Sequence, residues 1–336
     1  MTGAPIHVLV SGAGGVYGEA TVANLRRVSL GVRIFAADTR WHAPGSLLSD
    51  EPLVLPRVDD PSYLDRLVET VTRHRVRVVF ICSGTEISAL VERRDELEAR
   101  AKTTIIMPGA SLYRMASDKL DTVEFLARHG LDHPRTILSS SSNEELEAFI
   151  GAVGWPVIAK PRRGQGSRGV ALCRSRADLE KFSASGEPYV FQEHLGDDDH
   201  EYTVGVVANE AGEVFGSIVL RRWLAGGQTQ ASEVVHSTLI SEYAEAVARA
   251  AAPRGYINVQ LRVHRGRPVC FEINARVSSS TGFRAVAGFN EPQMILQHYV
   301  LGERPPRPTP ELIAMVRGLS VSVVDPAVWR RVAPPV

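Results

Sequence analysis

Apolar and polar residues alternate in two neighbouring stretches, 257–264 and 269–276. In the first, Ile257, Val259, Leu261 and Val263 form one face, and Asn258, Gln260, Arg262 and His264 the other. In the second, Val269, Phe271, Ile273 and Ala275 oppose Glu272, Asn274 and Arg276. A period of two marks half-buried strands. Arg265-Gly266-Arg267 supplies the turn, with Gly266 able to take positive φ. Pairing centred on Gly266 sets Gln260 opposite Glu272 and Asn258 opposite Asn274. Gln260, Glu272 and Asn274 then share one face, with Arg276 a step beyond.

Upstream the pattern is different. Short apolar runs at 6–10, 32–37, 53–55, 76–81 and 104–107 alternate with helical stretches. One helix reaches about Arg27. Asp60 and Pro61 provide an N-cap and first helical residue for a second, and a third runs over 87–100. Such alternation predicts a parallel sheet covered on both faces, an α/β domain over residues 1–112. Beyond it the chain reads as α+β, divided at 113–188 and 189–304, with a proline-rich extension over 305–336 that laps the surface. Ser117-Asp118-Lys119 opens a helix, and Ser142 with Glu145 forms a capping box for another. A strand delivers Lys160 into a loop holding Gly164, Gly166, Ser167 and Gly169, studded with Arg162, Arg163 and Arg168. Another strand, 189–192, leads to Glu193, His194 and Leu195. Glu201 follows, eight residues after Glu193.

Composition narrows the class. In 336 residues, Lys+Arg 38 balance Asp+Glu 38, which favours neither nucleic acid nor an anionic membrane as partner. Cys82, Cys173 and Cys270 are too scattered for a disulfide framework or a cysteine zinc site, and fit a reducing compartment. No apolar run approaches the ~20 residues of a membrane span, so a cytoplasmic protein is expected.

The polar face of the hairpin offers oxygen ligands beside a guanidinium, a set suited to Mg²⁺ and the phosphates it bridges. The loop after Lys160 can wrap phosphate oxygens with backbone N–H groups while the lysine supplies charge; without G-K-[ST] it is not a Walker A loop. A competing signal lies near the amino terminus. Gly12, Gly15 and Gly18 follow the first strand, and Asp38 stands where a ribose-binding acid would, as in an NAD(P)-dependent oxidoreductase. The chain has no Tyr-x-x-x-Lys to complete that chemistry, and any doubly wound domain needs a tight turn there.

Taken in order, Lys119, Lys160 with its glycine loop, Glu193 and Glu201, then G-Y-I-N-V-Q-L and F-E-I-N-A-R-V-S-S-S, resemble the ATP-grasp superfamily. The branch is that of carbamoyl-phosphate synthetase large subunits and biotin carboxylase. The resemblance runs from the Gly12 loop to about Gly302. It departs in having Asn274-Ala275-Arg276 where the synthetases have Asn-Pro-Arg, and a single ATP-grasp unit.

The resemblance implies a Rossmann-like parallel-sheet domain, a small lid domain and an antiparallel carboxy-terminal domain. It implies ATP phosphates held by Lys119, Lys160 and the loop at Gly164, Gly166, Ser167 and Gly169. Adenine would meet Gln192, Glu193, His194 and Leu195, and the ribose Glu201. Two Mg²⁺ ions, replaceable by Mn²⁺, would sit on Gln260, Glu272 and Asn274. Arg276 would face the transferred phosphoryl group. The implied reaction activates a small-molecule carboxylate as an acyl phosphate, releases ADP, and couples it to an amine. A kinase or carboxylase with a non-amine acceptor is the alternative within the superfamily. Arg222, Ser278, Ser279 and Arg284 lie in loops expected to meet substrate, the arginines as clamps for a carboxylate. Homodimerisation is left open.

Overall fold

Every residue of the strand 78–81 is buried, as the centre of a parallel sheet covered on both faces requires. In this computed structural model, which describes residues 4–318 except 165, 167 and 197–200, that strand lies in the interior of the first sheet. The strands are β1 (Ile6–Ser11), β2 (Val32–Asp38), β3 (Glu51–Val54), β4 (Val78–Ile81) and β5 (Thr104–Ile106), all parallel, in the order β3-β2-β1-β4-β5. Around them lie α1 (Val16–Leu25), α2 (Tyr63–Arg73), α3 (Gly84–Leu90) and α4 (Arg94–Ala101). Two expectations shift. Helix α2 begins at Tyr63, because the Asp60 carboxylate accepts from the Ser62 N–H and O–H instead of capping. The helix expected over 87–100 starts at Gly84, capped by Ser83, and breaks at a 3₁₀ turn, Val91–Arg93.

Next come α5 (Ala110–Ala116) and α6 (Lys119–Arg128), then a four-stranded antiparallel sheet. It consists of β6 (Thr136–Leu138), β7 (Val157–Pro161), β8 (Ala171–Cys173) and β9 (Tyr189–Glu193), ordered β6-β9-β7-β8. Leu146, Phe149 and Leu179 from α7 (Asn143–Val153) and α8 (Arg176–Ser183) pack on Val157, Ala159 and Phe191. Because β9 belongs here, this sheet extends past residue 188.

The third sheet is antiparallel and six-stranded, ordered β14-β13-β10-β11-β12-β15. Its strands are β10 (Glu201–Ala208), β11 (Val214–Ala225), β12 (Gln228–Val234), β13 (Gly255–His264), β14 (Arg267–Asn274) and β15 (Ala314–Val316). One face buries Val204, Val206, Val259, Leu261 and Ile273 against Ile240, Ala244 and Val247 of α9 (Thr238–Ala251). Two further helices, α10 (Thr281–Val286) and α11 (Glu291–Tyr299), join it to the first sheet, since Phe289 and Ile295 share a core with Val8, Val22 and Ile34. The extension does more than lap the surface, because β15 adds a strand to β12. Among the described residues, no helix is long and apolar enough to cross a membrane.

The β13–β14 hairpin is where sequence and structure diverge most usefully. The turn has two residues, Arg265 and Gly266, with φ of 50° and 76°, a mirror-image turn that matches strand twist. Two-residue closure pairs His264 with Arg267 and Leu261 with Cys270. Left uninterrupted, that register would set Gln260 against Phe271. A β-bulge then takes up one residue and restores Gln260 opposite Glu272 and Asn258 opposite Asn274. Cys270 therefore enters the core and Phe271 turns to the polar side, the reverse of what strict alternation predicts.

Candidate active site

Two cavities open on the polar face of this hairpin. The larger, about 530 Å³, lies between the four-stranded sheet and the hairpin. The smaller, about 310 Å³, lies between the hairpin, α3, α5 and α6. Lys119, Gly164, Phe271 and Glu272 line both, so they form the wall where the cavities meet.

Strand β7 carries Lys160 to that wall. Its ammonium lies 3.5 Å from the Phe271 carbonyl oxygen and 5.6 Å from the Phe271 ring centroid. Burial pulls its pKa down to about 8, against the opposing pull of Glu272. Lys119, at the start of α6, donates to the Pro161 carbonyl at 2.8 Å; burial lowers its pKa as well, again opposed by Glu272. Asp118 caps α6 through the N–H groups of Leu120 and Asp121. It also accepts from Arg162 Nε at 2.9 Å and Arg163 Nε at 3.2 Å. Burial acts to raise the Asp118 carboxyl, but these donors outweigh it and hold it below the usual range. The two arginines thus tether the root of the glycine loop, leaving Arg168 to line the larger cavity. Gly164 and Gly166 line it too, whereas Gly169 packs on Pro161 and Tyr189 at the loop's exit. Ser167 lies outside the described residues.

On the hairpin, Asn274 Nδ2 donates to Glu272 Oε1 at 2.8 Å. Gln260 Oε1 accepts from Arg222 Nη2 at 2.7 Å. Among the described residues no group of three or more His, Cys, Asp or Glu side chains is placed to hold a metal ion. The donor set is one carboxylate and two amide oxygens, which fits Mg²⁺ carried largely by nucleotide phosphates and not a protein-only metal cage. Gln260 Oε1 keeps a second lone pair for that set while it accepts from Arg222.

The segment expected to meet adenine does line the larger cavity, through Gln192, Glu193, His194 and Leu195. Strand β9 positions it, with Gln192 Nε2 donating to Thr136 Oγ1 at 2.8 Å and Glu193 N–H to the Arg135 carbonyl at 2.9 Å. Glu201 is there as well, but both its oxygens are engaged. Arg222 Nε donates to Oε1 at 2.9 Å and Arg262 Nη2 to Oε2 at 3.0 Å. Arg222, expected beside a substrate carboxylate, therefore stands in the larger cavity between Glu201 and Gln260.

Arg284 is corrected further. It is 1% exposed and forms an ion pair with Glu291 at 2.7 Å, with Asn258 and Thr203 also accepting from it. Its guanidinium lies against Gly205, where a Cβ would stand 2.5 Å from Nη1. It is a core brace that touches neither cavity. Ser278 and Ser279 line neither cavity either; the Ser278 hydroxyl accepts from Ser280 N–H at 3.2 Å, and the Ser279 carbonyl accepts from Arg317. Asp38 gives one oxygen to Gly14 N–H at 2.7 Å and the other to Arg40 N–H at 3.2 Å, so it holds the glycine loop shut on itself.

Arg276 lines the smaller cavity with Asn274 and Ser88. Its guanidinium carbon lies 4.5 Å from the centroid of the Tyr17 ring. The sequence pattern did not single out Phe271 or Arg262 as site residues, and it placed Tyr17 only at the end of a loop, Ser11–Tyr17, expected to meet substrate. Arg262 was visible as a member of the hairpin's polar face, but Phe271 was hidden by the bulge.

Residues 186–325 match the family described as ATP-grasp in the biosynthetic pathway with Ter operon, and residues 116–221 the RimK-like ATP-grasp domain. Two ATP-grasp family models thus match between residues 116 and 325. Residues 8–106 match the PylC-like N-terminal domain, so a sheet domain precedes the ATP-grasp part. Among curated relatives, a formate-dependent phosphoribosylglycinamide formyltransferase of Synechococcus sp. (strain CC9605) is 33% identical over 179 residues. That stretch is 53% of this chain and 42% of the relative, so the chain matches less than half of that protein. Among solved structures, the ATP-grasp fold seen here is similar to N5-carboxyaminoimidazole synthetase from Staphylococcus aureus complexed with ADP. The TM-score is 0.72 at 18% identity, covering 94% of this chain and 82% of the other. The biotin carboxylase domain of Hydrogenobacter thermophilus 2-oxoglutarate carboxylase, solved with MgADP and bicarbonate, gives 0.65 at 17% identity, covering 89% and 70%.

Proposed function

We propose that this chain is an ATP-dependent carboxylate–amine ligase that forms ADP, phosphate and an amide. The observation that carries this reading is the shared wall of Lys119, Gly164, Phe271 and Glu272 between two cavities. A nucleotide in the larger cavity directs its γ-phosphate through that wall, and an acid in the smaller one meets it there. Of the solved structures named above, one holds ADP and the other MgADP with bicarbonate.

A substrate carboxylate oxygen attacks the γ-phosphorus, the bond to the β-phosphate oxygen breaks, and ADP leaves. Lys119 and Lys160 hold the phosphates in line, and Arg276 stabilises the oxygens of the acyl phosphate. An amine nitrogen then adds to the acyl carbon, phosphate departs, and the nitrogen loses a proton. Bound Mg²⁺ supplies charge neutralisation on the phosphates. Glu272 and Asn274 would hold it, with Gln260 joining as a ligand of one of two ions, and Mn²⁺ able to substitute. The glycine loop covers the phosphates and keeps water from the acyl phosphate. The working units in this scheme are 1–112, 113–188 and 189–304 with the extension at 305–336, except that β9 (Tyr189–Glu193) goes with the second unit and β15 (Ala314–Val316) with the third. The chain would act in the cytoplasm, as a homodimer or alone.

The test is a screen of acids with ATP, Mg²⁺ and hydroxylamine. ADP with a hydroxamate is the expected result. AMP and pyrophosphate would mean an adenylate and overturn the mechanism. ADP without hydroxamate calls for ¹⁸O-labelled acid, whose label passing into phosphate supports the acyl phosphate and whose retention points to kinase chemistry.

A further inference from the structure

Arg276 is carried by the strand end after β14, yet its guanidinium is met by a residue from the amino-terminal sheet domain. Tyr17 is the second residue of α1, half-buried and packed on the core shared by the first and third sheets. Its ring face lies 4.5 Å from the Arg276 guanidinium carbon. The same helix grips the same loop again, because Asn24 Nδ2 donates to the Thr281 carbonyl and hydroxyl at 3.1 and 3.2 Å. Helix α1 therefore braces the segment 276–281 near both ends.

An arginine at the rim of a cavity has a long, rotatable side chain, and ordering it costs free energy. A ring face restricts the guanidinium to one plane and attracts it through the ring quadrupole. Arg276 also donates to the Val277 carbonyl at 3.1 Å, which sets one edge of that plane. We propose that Tyr17 is the positioning residue of Arg276, so that the amino-terminal domain presets the cation that receives the transferred phosphoryl group. This rests on the reading that Arg276 faces that group. In this view the glycine turn between β1 and α1 serves to aim Tyr17.

The test compares full-length wild type, Tyr17→Phe and Tyr17→Leu with two readouts. In protein labelled with ¹³C,¹⁵N-arginine, the Arg276 guanidinium signal, assigned by its loss in Arg276→Lys, reports the stack through the ring-current shift. The phenylalanine variant should keep that signal in place and the leucine variant should move it. The second readout is the affinity for Mg-ADP alone and for Mg-ADP with aluminium fluoride, a mimic of the moving phosphoryl group. Tyr17→Leu should bind Mg-ADP as wild type does, but bind the fluoride complex roughly tenfold more weakly, the scale of one cation–π contact. Tyr17→Phe should restore tight binding. An unmoved arginine signal in Tyr17→Leu overturns the proposal, as does an equal loss of both affinities, which would mark a purely structural tyrosine. If wild type binds Mg-ADP but aluminium fluoride adds nothing, the assigned role of Arg276 fails, and the arginine signal alone decides whether Tyr17 holds it.

Discussion

The Lys160 ammonium and the Glu272 carboxylate come from different sheets, yet Lys160 Nζ lies 3.5 Å from the carbonyl of Phe271, the residue just before Glu272. Burial brings the Lys160 pKa to about 8, with Glu272 limiting the fall. The lysine is therefore a cation below about pH 8 and loses its charge above it.

That titration predicts a pH dependence of nucleotide binding. Phosphates favour the protonated amine, so binding draws in a proton where Lys160 is neutral. The Kd for Mg-ADP should be flat below pH 7 and rise as pH passes from 7 to 9. Lys160→Met should bind weakly with no inflection near 8. Calorimetry in buffers of different ionisation enthalpy would show proton uptake in wild type alone.

Glu272→Gln should separate activity from folding. Glutamine keeps the oxygen that accepts from Asn274 Nδ2, so melting should barely change. It removes the one carboxylate at the wall between the cavities, and ATP turnover should fall roughly 10²-fold or more, as when a preorganised charge stabiliser is deleted. Normal turnover at limiting Mg²⁺ would return this face of the hairpin to plain solvent exposure.

The β11–β12 turn touches the glycine loop. A Cβ on Gly227 would stand 2.8 Å from the Gly166 carbonyl oxygen, whereas one on Gly226 would meet nothing within 4 Å. Both glycines have positive φ, 58° and 74° in chain order, so alanine at either costs about 1–2 kcal/mol of backbone strain. Only Gly227→Ala should also raise KM for ATP several-fold, because only it pushes on the loop over the phosphates. Equal KM values in the two variants would dissociate this turn from loop closure.

Arg284→Ala tests the reassignment of that residue from substrate clamp to brace. Its partner Glu291 is 2% exposed, so removing the guanidinium leaves a buried carboxylate uncompensated. Stability should fall by about 3–5 kcal/mol in denaturant titration. An unchanged unfolding midpoint with a raised KM for the acid would reinstate the clamp.

Much of the architecture could be read along the chain because it depends on residues near one another. Strand–helix alternation gives the parallel sheet, Ser142 with Glu145 forms its capping box, and period-two alternation gives β13 and β14. Lys119, Lys160 and Glu272 were singled out by motif order, and all three line the larger cavity.

The sequence could not settle which way a residue faces past the bulge, or which acid claims which arginine. Cys270 and Phe271 exchange faces because a two-residue turn and a one-residue bulge offset each other, and neither leaves a mark in the apolar pattern. Arg222 and Arg284 looked alike as loop arginines. One stands between Glu201 and Gln260 in the larger cavity and the other is sealed against Glu291, while Tyr17 meets Arg276 across 259 positions of chain. A long cationic side chain takes its role from the charge or ring that the packed fold brings within about 6 Å of it, and local sequence does not encode that neighbour.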